Sequence, residues 1–441
     1  MSLIGGCCIS YTLSNATLLT LSPPSVQRAT ITVEGDSIAS VEHNNVHIPS
    51  ESQKVDCSGR LVIPGNVCGH THLYSTLARG MPGPLESPRN FIQILERVWW
   101  RLDRALDEET LRTSGLVGAL DAVRSGTTTV IDHHSSPNTI EGSLDLLADA
   151  IGEVGLRAVL CYEVTDRGGR ALRDAGLREN ERFYLGNRRA RVAGMVGAHA
   201  SFTLEDSTLA EISQLADGLK TGVHIHVAED AHDETDSLRR SGKRVVHRLH
   251  DAGVLDVRAI AAHAVHVDEI EADKLRKAGT WIAHNCRSNM NNSVGRSPVA
   301  RLGTNLMLGT DGIDQDMFME SKTAFLRARE SSLDAVAEHT ISRLGAGAIC
   351  AGTIFQKPMG RLEAGSAADL VVLSYDPPTP VTADNVSWHL IFGCSASQVE
   401  SVMVGGRWVM RNREMCDIDE EKVRVESRVQ ARRLWDRMQE L

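Results

Sequence analysis

The stretch VIPGNVCGHTHLYS sets His70 and His72 two residues apart at the end of an apolar run. In extended backbone such positions face the same way, so two imidazoles leave the strand end together. That arrangement suits a metal ion better than a core. Further along, His226, Glu229, His263 and Asp311 close similar apolar runs. His70, His72, His226 and Asp311 would supply three imidazoles and a carboxylate to one divalent cation, with a position left for water. Such a cation lowers the pKa of a bound water from about 15.7 toward about 7. Glu229, just past His226, is placed to shuttle protons. Asp311 can act as base, and His263 can hold or polarise the attacking water. This is equipment for hydrolytic attack on an sp² carbon. Spacing leaves two choices open, because His224 shares the strand face of His226 and His266 follows His263.

The elements that must carry these groups form a rhythm. About eight β-rich runs alternate with helical segments: LVIPGNVCGHTH, TTTVIDHH, AVLCYEV, VAGMVGAHASF, GVHIHVAE, AIAAHAVH, TWIAHNC and LMLGTDG. In order they end near His72, His133 and His134, Glu163, His199, His226 and Glu229, His263, His284, and Asp311. The alternation predicts parallel strands with right-handed crossovers. Eight such units predict an α/β fold with a TIM-like (β/α)₈ barrel, which carries its chemistry at the C-terminal strand ends. The two ends of the chain have another texture. ATITV-EGD-SIASVEH and VESVMV-GG-RWVMRN read as hairpins, and a charged helix runs from about residue 420 to the end. The expected division is a composite β-sandwich from residues 1–63 and 362–441, around a catalytic barrel at 64–361.

The bulk composition agrees with a soluble enzyme. The chain has 441 residues, 42% hydrophobic and 24% charged. A net charge of −10 argues against nucleic acid or an anionic membrane as partner. Nine cysteines without a C-x-x-C pair predict reduced thiols and a cytoplasmic protein. The apolar amino-terminal stretch MSLIGGCCISYTL meets its first basic residue only at Arg28, which argues against a signal peptide. No apolar run reaches membrane-spanning length.

PGNVCGHTHLYSTLARG, HIHVAE, AAHAVH, HNCRSNMNN, LMLGTDG and GRLEAGSAADLVVL together resemble the amidohydrolase superfamily. The resemblance is to its cytosine-deaminase-like and chlorohydrolase branch, the aminohydrolases of purines, pterins and triazines. TVIDHHSSP, SNMNNSVGR and MFMESKTAFLRARE are most similar to the SsnA-type aminohydrolases, which occur with bacterial purine-catabolism genes. It covers nearly the whole chain. It implies a distorted barrel with a composite sandwich, and one metal on the residues matching His70, His72, His226 and Asp311. It implies catalytic roles for Glu229, His263 and Asp311. It prefers His226 over His224, leaving His224 buried and structural, and His263 over His266.

The expected activity is deamination of an amino-substituted N-heterocycle, a purine or pterin-like ring, with release of ammonia. The expected cofactor is one divalent metal per chain, Zn²⁺ first, with Fe²⁺ or Mn²⁺ as alternatives. A triazine or cyclic-amide hydrolase is the alternative activity, and a non-catalytic metal-binding protein ranks last. The two-metal branch bridges its ions with a carboxylated lysine. This chain has no lysine between His72 and Lys220, so Glu163 would have to serve. Substrate contacts are expected from His199, from at least one of His133 and His134, from Arg79 and Trp99 beyond the first strand, and from Ser288 and Asn289. Trp100 shares the choice between pocket wall and helix core with Trp99. In the acidic run EDAHDE, Asp230, Asp233 and Glu234 are expected in solvent. The partner is a small heterocyclic substrate, with a homo-oligomer expected by analogy.

Overall fold

The computed structural model describes residues 10–43 and 52–441. Most of the apolar amino-terminal stretch considered above lies outside the described residues. The first strands are β1 (Ser10–Leu21), β2 (Pro24–Glu34), β3 (Ser37–Glu42), β4 (Gln53–Asp56) and β5 (Leu61–Pro64). β1, β2 and β3 form an antiparallel meander, while β4 and β5 run parallel to β1.

The barrel follows. Its eight positions are filled by β6 (Asn66–Thr71), β7 (Thr127–His134), β8 (Arg157–Val164), the broken pair β9 (Val192–Gly194) and β10 (Val196–Ala200), β11 (Val223–Val227), β12 (Ile260–His263), β13 (Trp281–His284) and β14 (Leu306–Leu308). Neighbours pair in parallel in chain order. A parallel bridge between Thr71 and Asp311 brings the last strand end back to the first. The backbone N–H groups of Thr310 and Asp311 both donate to the carbonyl of His70, at 2.9 and 3.0 Å. Apart from Ala193 in β9, the barrel strands are buried along their whole length, as parallel strands covered by helices must be.

The chain then returns to the first sheet as β15 (Leu370–Leu373), β16 (Val399–Val404), β17 (Arg407–Arg411) and β18 (Glu414–Met415). β15 pairs antiparallel with β5, so both ends of the chain share one nine-stranded mixed sheet. Alternation along these strands explains the burial. Leu18, Val62, Leu370, Val372 and Met403 fill a core belonging to the terminal strands, whereas Leu19, Leu61, Ile63, Val371 and Leu373 pack toward the barrel helices.

A helix at Glu420–Glu440 closes the chain and lies along the helix Glu108–Arg124. Asp107 accepts from both Arg433 and Arg437. Trp435 Nε1 donates to the Leu77 carbonyl at 2.9 Å. Among the described residues no helix is long and apolar enough to cross a membrane.

Candidate active site

His70, His72, His226 and Asp311 each bring one ligand atom within 4.8 Å of the others. His72 Nε2 lies 2.8 Å and His70 Nε2 3.5 Å from Asp311 Oδ1, and His226 Nε2 lies 3.3 Å from His72 Nε2. Local backbone makes this convergence. The pairing of β6 with β7 slips by one residue between Cys68 and Thr71, a bulge that re-aims the strand end. The His70 and His72 rings then stand edge to face at 4.8 Å. Asp311 has a left-handed φ of +56°, which turns its carboxylate back over β6. The preceding Gly309 is packed so closely that a Cβ there would lie 2.8 Å from the backbone nitrogen of His70.

The outer ring nitrogens are all engaged. His72 Nδ1 donates to the His133 carbonyl at 2.5 Å, and His226 Nδ1 donates to the His199 carbonyl at 2.9 Å. These bonds leave both Nε2 atoms as lone pairs facing the centre. His70 Nδ1 meets His224 Nε2 at 2.9 Å, and His70 Nε2 is buried with no hydrogen-bond partner. Lone pairs and a carboxylate gathered this closely call for a positive charge. Burial presses the His72 pKa down, yet Asp311 lifts it to about 9. The three imidazoles and one carboxylate fit a divalent ion.

A second group overlaps the first. Glu229, His263 and Asp311 also bring ligand-type atoms within 4.8 Å of one another. Glu229 Oε2 lies 3.6 Å from His263 Nε2. Burial pushes the Glu229 carboxyl up to about 7 against the pull of His263. His263 Nδ1 donates to Asn289 Oδ1 at 2.8 Å, so its Nε2 is left free and buried. Ser288 Oγ donates to Asp311 Oδ2. His263 carries a φ of +75°, and Ala228, between His226 and Glu229, one of +48°. Two functional turns therefore sit in the region L-residues avoid.

His72, His226, Glu229 and Asp311 face a cavity at the barrel mouth. Trp99, Trp100, Phe202 and His199 form an aromatic wall, and Asp103, Glu163 and Asn292 add polar groups. The Arg167 guanidinium lies 4.6 Å over the Trp100 ring and bonds Glu163 at 2.6 Å. Burial raises Asp103 to about 6 and Glu163 to about 7, with Arg167 opposing both.

Several expected substrate contacts are elsewhere. Neither His133 nor His134 lines the cavity, and both are fully buried. His133 Nε2 bonds the Ala198 and His224 carbonyls inside the barrel, and His134 Nε2 bonds Ser136. Arg79 sits at the surface, 2.8 Å from Asp121. Ser288 and Asn289 touch Asp311 and His263 and do not line the cavity that His72, His226, Glu229 and Asp311 face. Asp233 and Glu234 are buried, not solvated: Asp233 accepts from the backbone N–H of Ala228 at 2.9 Å and so props the Glu229 turn. Glu163, the candidate bridge to a second metal, is paired with Arg167, which already supplies its counter-charge.

The model of the Amidohydrolase family matches residues 61–409. The 5′-deoxyadenosine deaminase of Methanopyrus kandleri is 32% identical over 373 residues, covering 82% of this chain and 84% of that relative. The 5-methylthioadenosine/S-adenosylhomocysteine deaminase of Thermoanaerobacter pseudethanolicus is 29% identical over 96% of this chain and 99% of its own. An adenosine deaminase from Xanthomonas campestris with bound zinc superposes with a TM-score of 0.84 at 24% identity, covering 97% and 98% of the two chains. The zinc complex of atrazine chlorohydrolase TrzN from Arthrobacter aurescens TC1 gives 0.82 at 19% identity, covering 96% and 100%. At such identities the two structures speak to the fold.

Proposed function

The chain belongs to the amidohydrolase family, hydrolases of C–N bonds outside peptides, and from that premise we propose that it deaminates a purine-like ring. The first candidate substrate class is a 6-aminopurine nucleoside of the kind named for its curated relatives. A divalent cation, zinc by preference, is assigned to His70, His72, His226 and Asp311, where its chemistry is Lewis-acid activation of water.

The remaining work falls to side chains of this chain. Asp311 takes a proton from the attacking water, while Ser288 steadies its second oxygen. His263 Nε2, directed by Asn289, orients that water and the developing hydroxyl. Glu229 protonates the ring nitrogen, which makes the neighbouring carbon electrophilic. A carbon–oxygen bond forms, Asp311 passes its proton to the exocyclic amine as the carbon–nitrogen bond breaks, and Glu229 recovers a proton from the new hydroxyl as the carbonyl forms, which returns both carboxyls to their starting states. The balance is one water consumed and one ammonia released. A carboxyl poised near neutrality suits both halves of that relay. Trp99, Trp100 and Phe202 would flank a flat ring. Asp103 and Glu163 are suited to accept bonds from sugar hydroxyls.

The observation that carries this reading is the grouping of Glu229 and His263 against Asp311 beside three converging imidazoles. The test is ammonia release from the metal-loaded protein over 5′-deoxyadenosine, adenosine, guanine, 8-oxoguanine, pterin and aminotriazines. We expect turnover of an aminopurine and a loss of about 10²–10⁴-fold in kcat for Glu229→Gln. No ammonia from any compound, with metal bound, would overturn the proposal.

A further inference from the structure

A larger cavity of about 1560 Å³ lies beside His284, among the helices Cys286–Asn291, Met317–Arg329 and Ala337–Phe355. It shares no lining residue with the catalytic cavity. Its chemistry is that of unspent donors. Four guanidinium groups, Arg296, Arg301, Arg327 and Arg343, line it. Arg296 and Arg327 share one carboxylate, Glu330, at 2.9 and 2.5 Å. Arg301 reaches Glu269 at 3.3 Å. Asp334 is the only acidic residue in the lining, and it accepts from Ser332.

Arg343 has no such partner. Among the described residues it makes no hydrogen bond or ion pair, and burial alone acts on its charge. Three nitrogens on this lining are buried without a partner: Arg327 Nε, His284 Nδ1 and Asn289 Nδ2. Arg343 is half-buried, and a partly desolvated guanidinium without a counter-charge favours an anion beside it. Arginine forks match the oxygens of phosphate and carboxylate, and the former carries the larger charge. Met290, Val299 and Val336 give the wall an apolar stretch, and Ser331, Ser332, His339 and Thr340 add neutral polar groups. The volume exceeds what a bare oxyanion fills.

We propose that this cavity binds an organic phosphate, its anionic head on Arg343 and Arg327 and its carbon body along Met290, Val299 and Val336. The site is separate from the proposed reaction and does not depend on it. It does share a helix with the catalytic groups, because Asn289, whose Oδ1 accepts from His263, also lines this cavity. An anion here sits one side chain from His263.

The test is calorimetric titration of the full-length, metal-loaded protein with phenyl phosphate, inorganic phosphate and benzoate. Phenyl phosphate is expected to bind at least tenfold tighter than inorganic phosphate or benzoate. Arg343→Met is expected to weaken it at least tenfold. Melting curves in phosphate-free buffer guard against a folding defect: removing an unpaired, half-buried charge should leave Tm unchanged or higher, and phenyl phosphate should raise Tm only in the wild type. The proposal fails if the wild type does not bind phenyl phosphate at millimolar concentration, if benzoate binds as well, or if Arg343→Met binds it as tightly. It also fails if that substitution lowers Tm, which would make Arg343 a structural residue.

Discussion

At the scale of single residues, the site is organised by hydrogen bonds on the far side of each ring. Carbonyls fix the tautomers of His72 and His226, but His70 relies on another imidazole, His224. Burial holds His224 to about 3, so it is neutral and can fix the orientation of His70 without adding charge. His224→Phe keeps the ring and deletes that bond. We expect metal affinity to fall about 10–100-fold, measured by competition with a chelator, with the fold retained by circular dichroism. Unchanged affinity would remove His224 from the site. The donors themselves were legible because each closes an apolar run with a polar group that packing does not require. The layer of His224 was not, since positions 224 and 226 share a face and spacing cannot say which stands at the mouth. His133 and His134 misled for a related reason: β7 is buried on both faces, so no polar alternation reveals which of the two points inward. Asp103 and Tyr74 reach the cavity from segments whose charge and turn patterns look like ordinary surface helix and loop.

At the scale of elements, the chemistry depends on how β14 meets β6. A Cβ at Gly309 would crowd Asn285 Oδ1 at 2.4 Å and the His70 backbone at 2.8 Å, so backbone as well as side chain must move. Gly309→Ala should separate the two strand ends, cost about 1–3 kcal/mol in stability, and release the metal at lower chelator concentration than the wild type. The Glu229 turn is supported by the helix Ala231–Ser241, in which Glu234 is lifted to about 7 by burial first and by the Glu271 charge second. A carboxyl with a raised native pKa holds its proton more tightly folded than unfolded. Its contribution is therefore present below about pH 4.5 and is lost as pH rises through about 7. Melting curves should show the wild type losing stability relative to Glu234→Gln between about pH 5 and about pH 8. A constant difference across that range would mean Glu234 is not shifted. The eight strands could be read because each is a short apolar run ending in a polar group. The burial of Asp233 and Glu234 could not, because it comes from the first turn of that helix packing against Ala228 and against Arg244 and Val245, and local charge density reads as solvent.

At the scale of the whole molecule, the two ends of the chain meet on the terminal sheet, and the last helix returns to the catalytic face. Trp435 donates to the Leu77 carbonyl, only five residues beyond His72, and Arg101 donates to the Met438 carbonyl at 2.7 Å. The first contact holds the short helix Leu73–Ala78 that follows His72, and the second holds the helix Trp100–Ala105 that carries Asp103. The carboxy-terminal helix thus braces two walls of the cavity from outside. Trp435→Ala removes one hydrogen bond and a half-buried indole, a loss of about 2 kcal/mol. Because the contact lies behind the cavity wall and not at the reacting atoms, KM for the aminopurine should rise several-fold while kcat changes little. Trp435→Phe, which keeps most of the packing but not the donor, should fall between the two. If Trp435→Ala lowers Tm and leaves KM untouched, the helix stabilises the fold without shaping the cavity.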